Sequence, residues 1–295
     1  IPSKSLEICE HLAQKQVTVQ SHDGTEVPLS IVHKSGIEMD GSNPLLLVGY
    51  GAYGISYQPR FRQALAAFYE KGGIYAGAHV RGGGEFGKAW RRAGFKETKP
   101  NTWKDFIACA EYLIDERYTN SERLCGMGRS AGGITIGRAI TERPDLFGRA
   151  IVGVGVNDAV RMETTPNGVP NIPEFGTATI EKEFHALLEM STYHQIKDNV
   201  KYPSVLITHG ANDTRVEVWQ SYKLAARLQA ATSSEKPILL RIDFESGHGG
   251  ADSGKQRRKL DADMYAFVLE GAETEPIVSD SPRLKLSDYG PRFGP

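Results

Sequence analysis

Six short apolar runs, each leading into a loop and most followed by a helical pattern, set the tightest limit on how these 295 residues can fold. The runs cover 45–48, 74–80, 123–127, 150–154, 204–208 and 238–242. They are continuous rather than alternating, as strands buried on both faces of a parallel sheet require. Helical patterns follow over 101–117, 130–142, 218–229 and 254–269. Strand and helix in alternation predict a mostly parallel, twisted sheet with helices on both faces. Ahead of it, residues 17–20 and 27–32 alternate apolar and polar side chains around Asp23 and Gly24, which predicts an N-terminal β-hairpin.

One α/β domain accounts for this length. We place it at 16–272, after a helix or linker at 1–15 and before a loosely packed extension at 273–295 rich in Pro, Ser and charge. Residues 161–202 break the rhythm. They are polar, contain Pro166, Pro170 and Pro173, and read as an insertion over the sheet edge where such folds bind ligands. A formal net charge of -1 gives no global field to draw in nucleic acid or an anionic membrane, so neither is expected as a partner. The basic cluster Lys255, Arg257, Arg258 and Lys259 reads as the solvated face of the last helix. No run is long enough to span a bilayer. Cys9, Cys109 and Cys125 form an odd set without metal-like spacing, and the latter two lie in apolar segments where a thiol packs as a small hydrophobe. This argues against a disulfide framework and favours a reducing, cytoplasmic compartment. The chain starts at Ile1 rather than Met, which leaves a removed signal peptide open. No metal-binding motif occurs, and no cofactor is expected.

The chemistry concentrates at Gly128, Ser130 and Gly132, which spell G-x-S-x-G between the apolar run at 123–127 and the helical pattern that follows. A strand turning sharply into a helix leaves no room for side chains at the flanking positions and exposes the serine at the apex. That context points to the α/β-hydrolase fold, in which the nucleophile, the acid and the histidine follow in this order, each after a strand. Asp213 comes soon after the run at 204–208, and His248 soon after 238–242, so both are expected at the edge that carries Ser130. Asp213 also suits a helix N-cap, and His248 suits a plain loop histidine. His209 is a rival base expected to pack beneath the site. Asp243 and Asp252 are rival acids too near His248 in sequence to reach it from another loop. Gly82, Gly84 and Gly87 match G-x-G-x-x-G, but no helix is expected to open there at once, which speaks against a dinucleotide site.

Taken together, the segments 48–54, 81–87, 143–148, 212–216 and 246–249, with the serine elbow, resemble the catalytic domain of the prolyl oligopeptidase family. The match runs in the family's order from about Gln16 to Glu270. The resemblance implies a Ser130, Asp213 and His248 triad, with an oxyanion held by the Tyr50 hydroxyl and the Ala131 N–H. It further implies that Arg215 grips a substrate carbonyl and that Tyr53, Val156, Phe175 and Val216 line the pocket beside the nucleophile. Three departures stand out. Arg129 precedes the serine where the family usually has glycine. Asn171 aligns with the tryptophan that stacks on a bound proline. The β-propeller that caps the site in full-length members has no counterpart in these residues, which leads to the expectation of an open site.

The expected function is therefore cleavage of an acyl bond, in a small peptide or an ester, through an acyl-enzyme. A carboxylesterase acting on short-chain esters is the alternative within that chemistry. A non-catalytic binding domain would predict a broken triad, and a dehydrogenase would need the Gly82 loop to open a helix beside a ribose-binding acid.

Overall fold

The computed structural model describes residues 8–58 and 63–270. The extension expected at 273–295 and residues 1–7 lie outside the described residues. Eight strands form one sheet: β1 (Leu12–Gln20), β2 (Glu26–Lys34), β3 (Leu45–Val48), β4 (Ile74–Ala78), β5 (Leu124–Arg129), β6 (Arg149–Gly153), β7 (Ser204–Gly210) and β8 (Ile238–Asp243). Their spatial order is β1-β2-β4-β3-β5-β6-β7-β8. The hairpin β1–β2 and the β2–β4 pair are antiparallel. Every other pair is parallel, and this is the α/β-hydrolase arrangement.

The sheet sorts its apolar residues by strict alternation. On one face Leu45, Leu47, Leu124, Ala150, Val152, Val205 and Ile207 join a single buried cluster. On the other face Leu46, Cys125, Met127, Ile151 and Leu206 form a second one. After the short helices α1 (Ala66–Glu70) and α2 (Gly87–Arg92), the first face is covered by α3 (Pro100–Asp115) and α4 (Gly132–Glu142). Pro100 opens α3 at a position where the amide proton would lack an intrahelical acceptor. The 161–202 stretch folds as α5 (Ala159–Met162), α6 (Ile172–Phe175), α7 (Glu181–Met190) and α8 (Thr192–Gln195), joined by turns. Helix α9 (Trp219–Ala231) completes the first face. Helix α10 (Gly254–Leu269) covers the second, starting at a Ser253–Gln256 capping box.

Two expectations need correction. Strand β1 begins at Leu12, within the stretch read as helix or linker, because β2 continues to Lys34 and supplies backbone partners for it. Lys15 and Gln16 there are exposed, so no apolar alternation marked the extension. A helix does open at the third glycine of the G-x-G-x-x-G stretch, Gly87, but it is six residues long. The first of these glycines serves packing: a Cβ on Gly82 would lie 2.0 Å from the Gly51 carbonyl oxygen. Cys109 and Cys125 are free and buried, and burial pushes both thiols up. Among the described residues, no helix is long and apolar enough to cross a membrane.

Candidate active site

The strand order reverses around β3, and the loops that leave the C-terminal ends of β3, β5, β6, β7 and β8 converge on one edge. At the end of β5 the chain turns into α4 so tightly that a Cβ on Gly128 would lie 2.0 Å from the Gly132 carbonyl oxygen. Ser130 sits at the apex with φ of 55°, a conformation that costs about 1–3 kcal/mol for a residue with a side chain. Strand β6 and its following loop offset that cost. The Ser130 N–H donates to the Gly153 carbonyl at 2.9 Å, and the Ser130 carbonyl accepts from the Val156 N–H at 2.9 Å.

The loops after β7 and β8 bring Asp213 and His248 to this serine. His248 Nε2 lies 3.0 Å from Ser130 Oγ, and His248 Nδ1 lies 2.7 Å from Asp213 Oδ2. The Asp213 carboxylate is fully buried. Burial works to raise its pKa, but hydrogen bonds from His209, His248 and the Val216 and Arg215 amides outweigh it. The net effect holds the carboxyl well below the usual carboxylate range. With Asp213 ionised, Nδ1 of His248 carries the proton and Nε2 is left to accept from the serine hydroxyl.

Asp213 caps a turn but is not the N-cap of the helix that follows, since α9 starts at Trp219 with Val218 at that position. Its Oδ1 accepts the Arg215 and Val216 amides at 2.8 and 3.0 Å, while Oδ2 faces the histidines. His209 is buried beneath. Its Nε2 meets two acceptors, Val216 O at 2.8 Å and Asp213 Oδ2 at 3.1 Å, and therefore donates. Its Nδ1 faces the Ser221 hydroxyl at 2.7 Å. The rival acids are spent on the histidine's own loop. Asp243 accepts the Glu245 and Ser246 amides, and Asp252 accepts the Gly247 amide.

Tyr50 follows β3 and lines the same cleft as Ser130. Burial and nearby Glu174 push that phenol above its ordinary value, against the pull of Arg215 and Ser130, so it stays a proton donor at neutral pH. Its loop is anchored from below. The Lys99 ammonium, wholly buried, donates to the Gly51 and Gly94 carbonyls, and Thr135 donates to the Tyr50 carbonyl. Burial pulls the Lys99 amine down to about 8, with Glu174 working the other way. Ala131 is the N-cap of α4, so its N–H belongs to the set that a helix leaves without an internal acceptor.

A cleft of about 370 Å³ adjoins Ser130, His248 and Tyr50. Tyr53, Val156, Asn171, Arg215 and Val216 line it. Phe175 does not, and this is a correction. It is fully buried, edge-on behind the Tyr53 ring at 5.5 Å between centroids, with Lys99 over its face. Phe175 thus supports the wall instead of forming it. The Tyr53 hydroxyl donates to Asn171 Oδ1 at 2.5 Å, and Asn171 Nδ2 donates to the Asn167 carbonyl at 2.6 Å. Arg215 is exposed at the rim, and no hydrogen-bond or ion-pair partner holds its guanidinium among the described residues. Met162, Thr165 and Gln220 also line it. Sequence reasoning passed over them because nothing local marks which side chains of a short helix, a turn or a helix's first turn will reach a cleft.

The prolyl oligopeptidase family model matches residues 59–274. The chain belongs to the prolyl oligopeptidase family. It is 41% identical over 261 residues to a prolyl endopeptidase of Elizabethkingia meningoseptica, covering 88% of this chain and 37% of that relative. It is 38% identical over 260 residues to a prolyl endopeptidase of Dictyostelium discoideum, covering 86% and 34%. A solved prolyl endopeptidase superposes with a TM-score of 0.89 at 37% identity, over 93% of this chain and 40% of that one. Oligopeptidase B from Trypanosoma brucei, solved with covalently bound antipain, superposes with a TM-score of 0.85 at 34% identity over 92% and 38%. The chain thus spans little more than a third of the length of these curated relatives.

Proposed function

We propose that this chain carries the catalytic machinery of a serine peptidase that cleaves short peptides through an acyl-enzyme. The observation that supports this most directly is the continuous relay from Ser130 Oγ through His248 to a buried, ionised Asp213. Ser130 Oγ attacks the scissile carbonyl while His248 Nε2 takes its proton. Asp213 keeps the imidazole in the required tautomer and balances the imidazolium. The Tyr50 hydroxyl and the Ala131 N–H donate to the oxygen that becomes negative. Collapse of the tetrahedral intermediate expels the amine with the proton from His248. Water, deprotonated by the same histidine, then releases the acyl group. Arg215, exposed at the rim, is suited to a substrate carbonyl, and the Tyr53, Val156 and Val216 wall to a compact P1 side chain. Relatives named prolyl endopeptidase support proline at P1, whereas the Tyr53–Asn171 bond removes ring stacking and is expected to soften that preference.

Two measurements on the purified protein test this. A fluorophosphonate should label Ser130, and Ser130→Ala should lower turnover by about 10⁴-fold or more without unfolding the protein. A prolyl-peptide anilide and a short-chain aryl ester, assayed side by side, should both be cleaved. Hydrolysis of the ester alone would replace the peptidase reading with the carboxylesterase one.

A further inference from the structure

We propose that Arg129 is a positioning residue that registers the His248 loop against the nucleophile. This rests on the reading of Ser130 and His248 as nucleophile and base. Arg129 is the last residue of β5, immediately before Ser130. Its stem runs across Gly153 of the neighbouring strand, where an added Cβ would stand 2.9 Å from Arg129 Cγ. From there the Arg129 guanidinium donates through Nη2 to the Gly249 carbonyl at 2.9 Å. Gly249 is the residue after His248. Two adjacent residues of the elbow therefore hold two adjacent residues of the loop, one pair at 3.0 Å and the other at 2.9 Å.

The loop needs such a tie. Gly247, Gly249 and Gly250 surround His248, Gly250 has φ of 65°, and glycines leave a backbone with more freedom than any other residue. The side before His248 is pinned by the Asp252 carboxylate on the Gly247 amide and by the Ser246 carbonyl, which accepts the Asn212 N–H. The side after it is pinned by guanidinium groups. Arg257, from the helix cluster expected to face solvent, turns Nη2 inward to the carbonyls of Gly249 at 3.1 Å and Ala251 at 3.3 Å. Of these ties, Arg129 is the one that starts beside the nucleophile. The Ser130–His248 separation therefore cannot drift far without stretching a charge-assisted bond next to it. A basic side chain before the serine, at odds with the family's usual glycine, thereby gains a structural reason.

Arg129→Met, Arg257→Met and their combination separate positioning from folding. Arg129→Met should lower kcat and the rate of fluorophosphonate labelling at Ser130 by about ten- to a hundredfold, as misplacement of a base by a fraction of an ångström does, with KM within about twofold. Arg129→Lys should recover part of the loss, and methylguanidinium added to Arg129→Gly should restore part of kcat. The double variant should lose more than the product of the single losses, because each guanidinium covers for the other. If Arg129→Met does not fold, Arg129→Gln, which keeps the packing over Gly153, is read in the same way. Wild-type kcat and labelling rate in the folded Arg129 variant would overturn the proposal. Failure of the wild type itself to label at Ser130 would instead overturn the reading of the site on which it rests.

Discussion

Tyr50 shows how much a single side chain here depends on its surroundings. It shares the cleft with Ser130 while burial keeps the phenol protonated, and its loop is held by Lys99 and Thr135 from below. Tyr50→Phe removes one donor and leaves the ring packing in place. We expect kcat to fall by about ten- to a thousandfold with KM little changed, read from steady-state kinetics on a peptide anilide. A rise in KM alone would make Tyr50 a binding residue and move the oxyanion site elsewhere. At this scale the elbow serine and the two partner positions were legible because each sits just after an apolar run. The place of His209 beneath the site was legible too, but its bond to Asp213, the burial of Phe175 and the Tyr53–Asn171 bond were not. Each depends on which atoms of two distant loops meet, and no periodicity encodes that.

The strand–turn–helix from β5 to α4 is the element on which the site stands. Its two elements approach so closely at Gly128 that the nearest atoms to an added Cβ are backbone, which cannot swing aside. Gly128→Ala should therefore lower stability by about 1–3 kcal/mol and reduce kcat as well, since relief requires the elbow to open and Ser130 to shift. Urea unfolding and turnover measured on the same preparation check both. A fully stable variant with wild-type turnover would show that the turn has slack. Elements with a strong period were legible within a few residues: α10 over Gly254–Leu269, β3 over Leu45–Val48. Helices α1, α2, α5 and α6, of four to six residues, were not legible. A helix that short exists because tertiary contacts hold it, so its own residues carry little signal.

At the scale of the whole molecule, a buried charge beneath the site couples stability to pH. The Lys99 amine is held at about 8 in the folded chain, against about 10.4 for an exposed lysine. Between these values the unfolded chain binds more protons, so this group's contribution to stability rises with pH from about 8 to about 10. Below that window the ammonium is charged in both states and its desolvation opposes folding in full. The difference in unfolding free energy between wild type and Lys99→Met should therefore move in favour of the wild type across the window, as read by urea titrations from about pH 7 to about pH 10. A constant difference would mean that Lys99 does not carry a strained charge. By itself the sequence determined the layered parallel sheet, its order of strands and helices, and the edge at which Ser130, Asp213 and His248 collect. Those follow from local periodicity and from the rule that parallel strands present their C-terminal ends to ligands. The tertiary structure alone decided which side chains face the cleft, which carboxylate oxygen serves which partner, and that Arg129 and Arg257 converge on one carbonyl. Such contacts join residues far apart in the chain, and the packing of the whole domain selects among them.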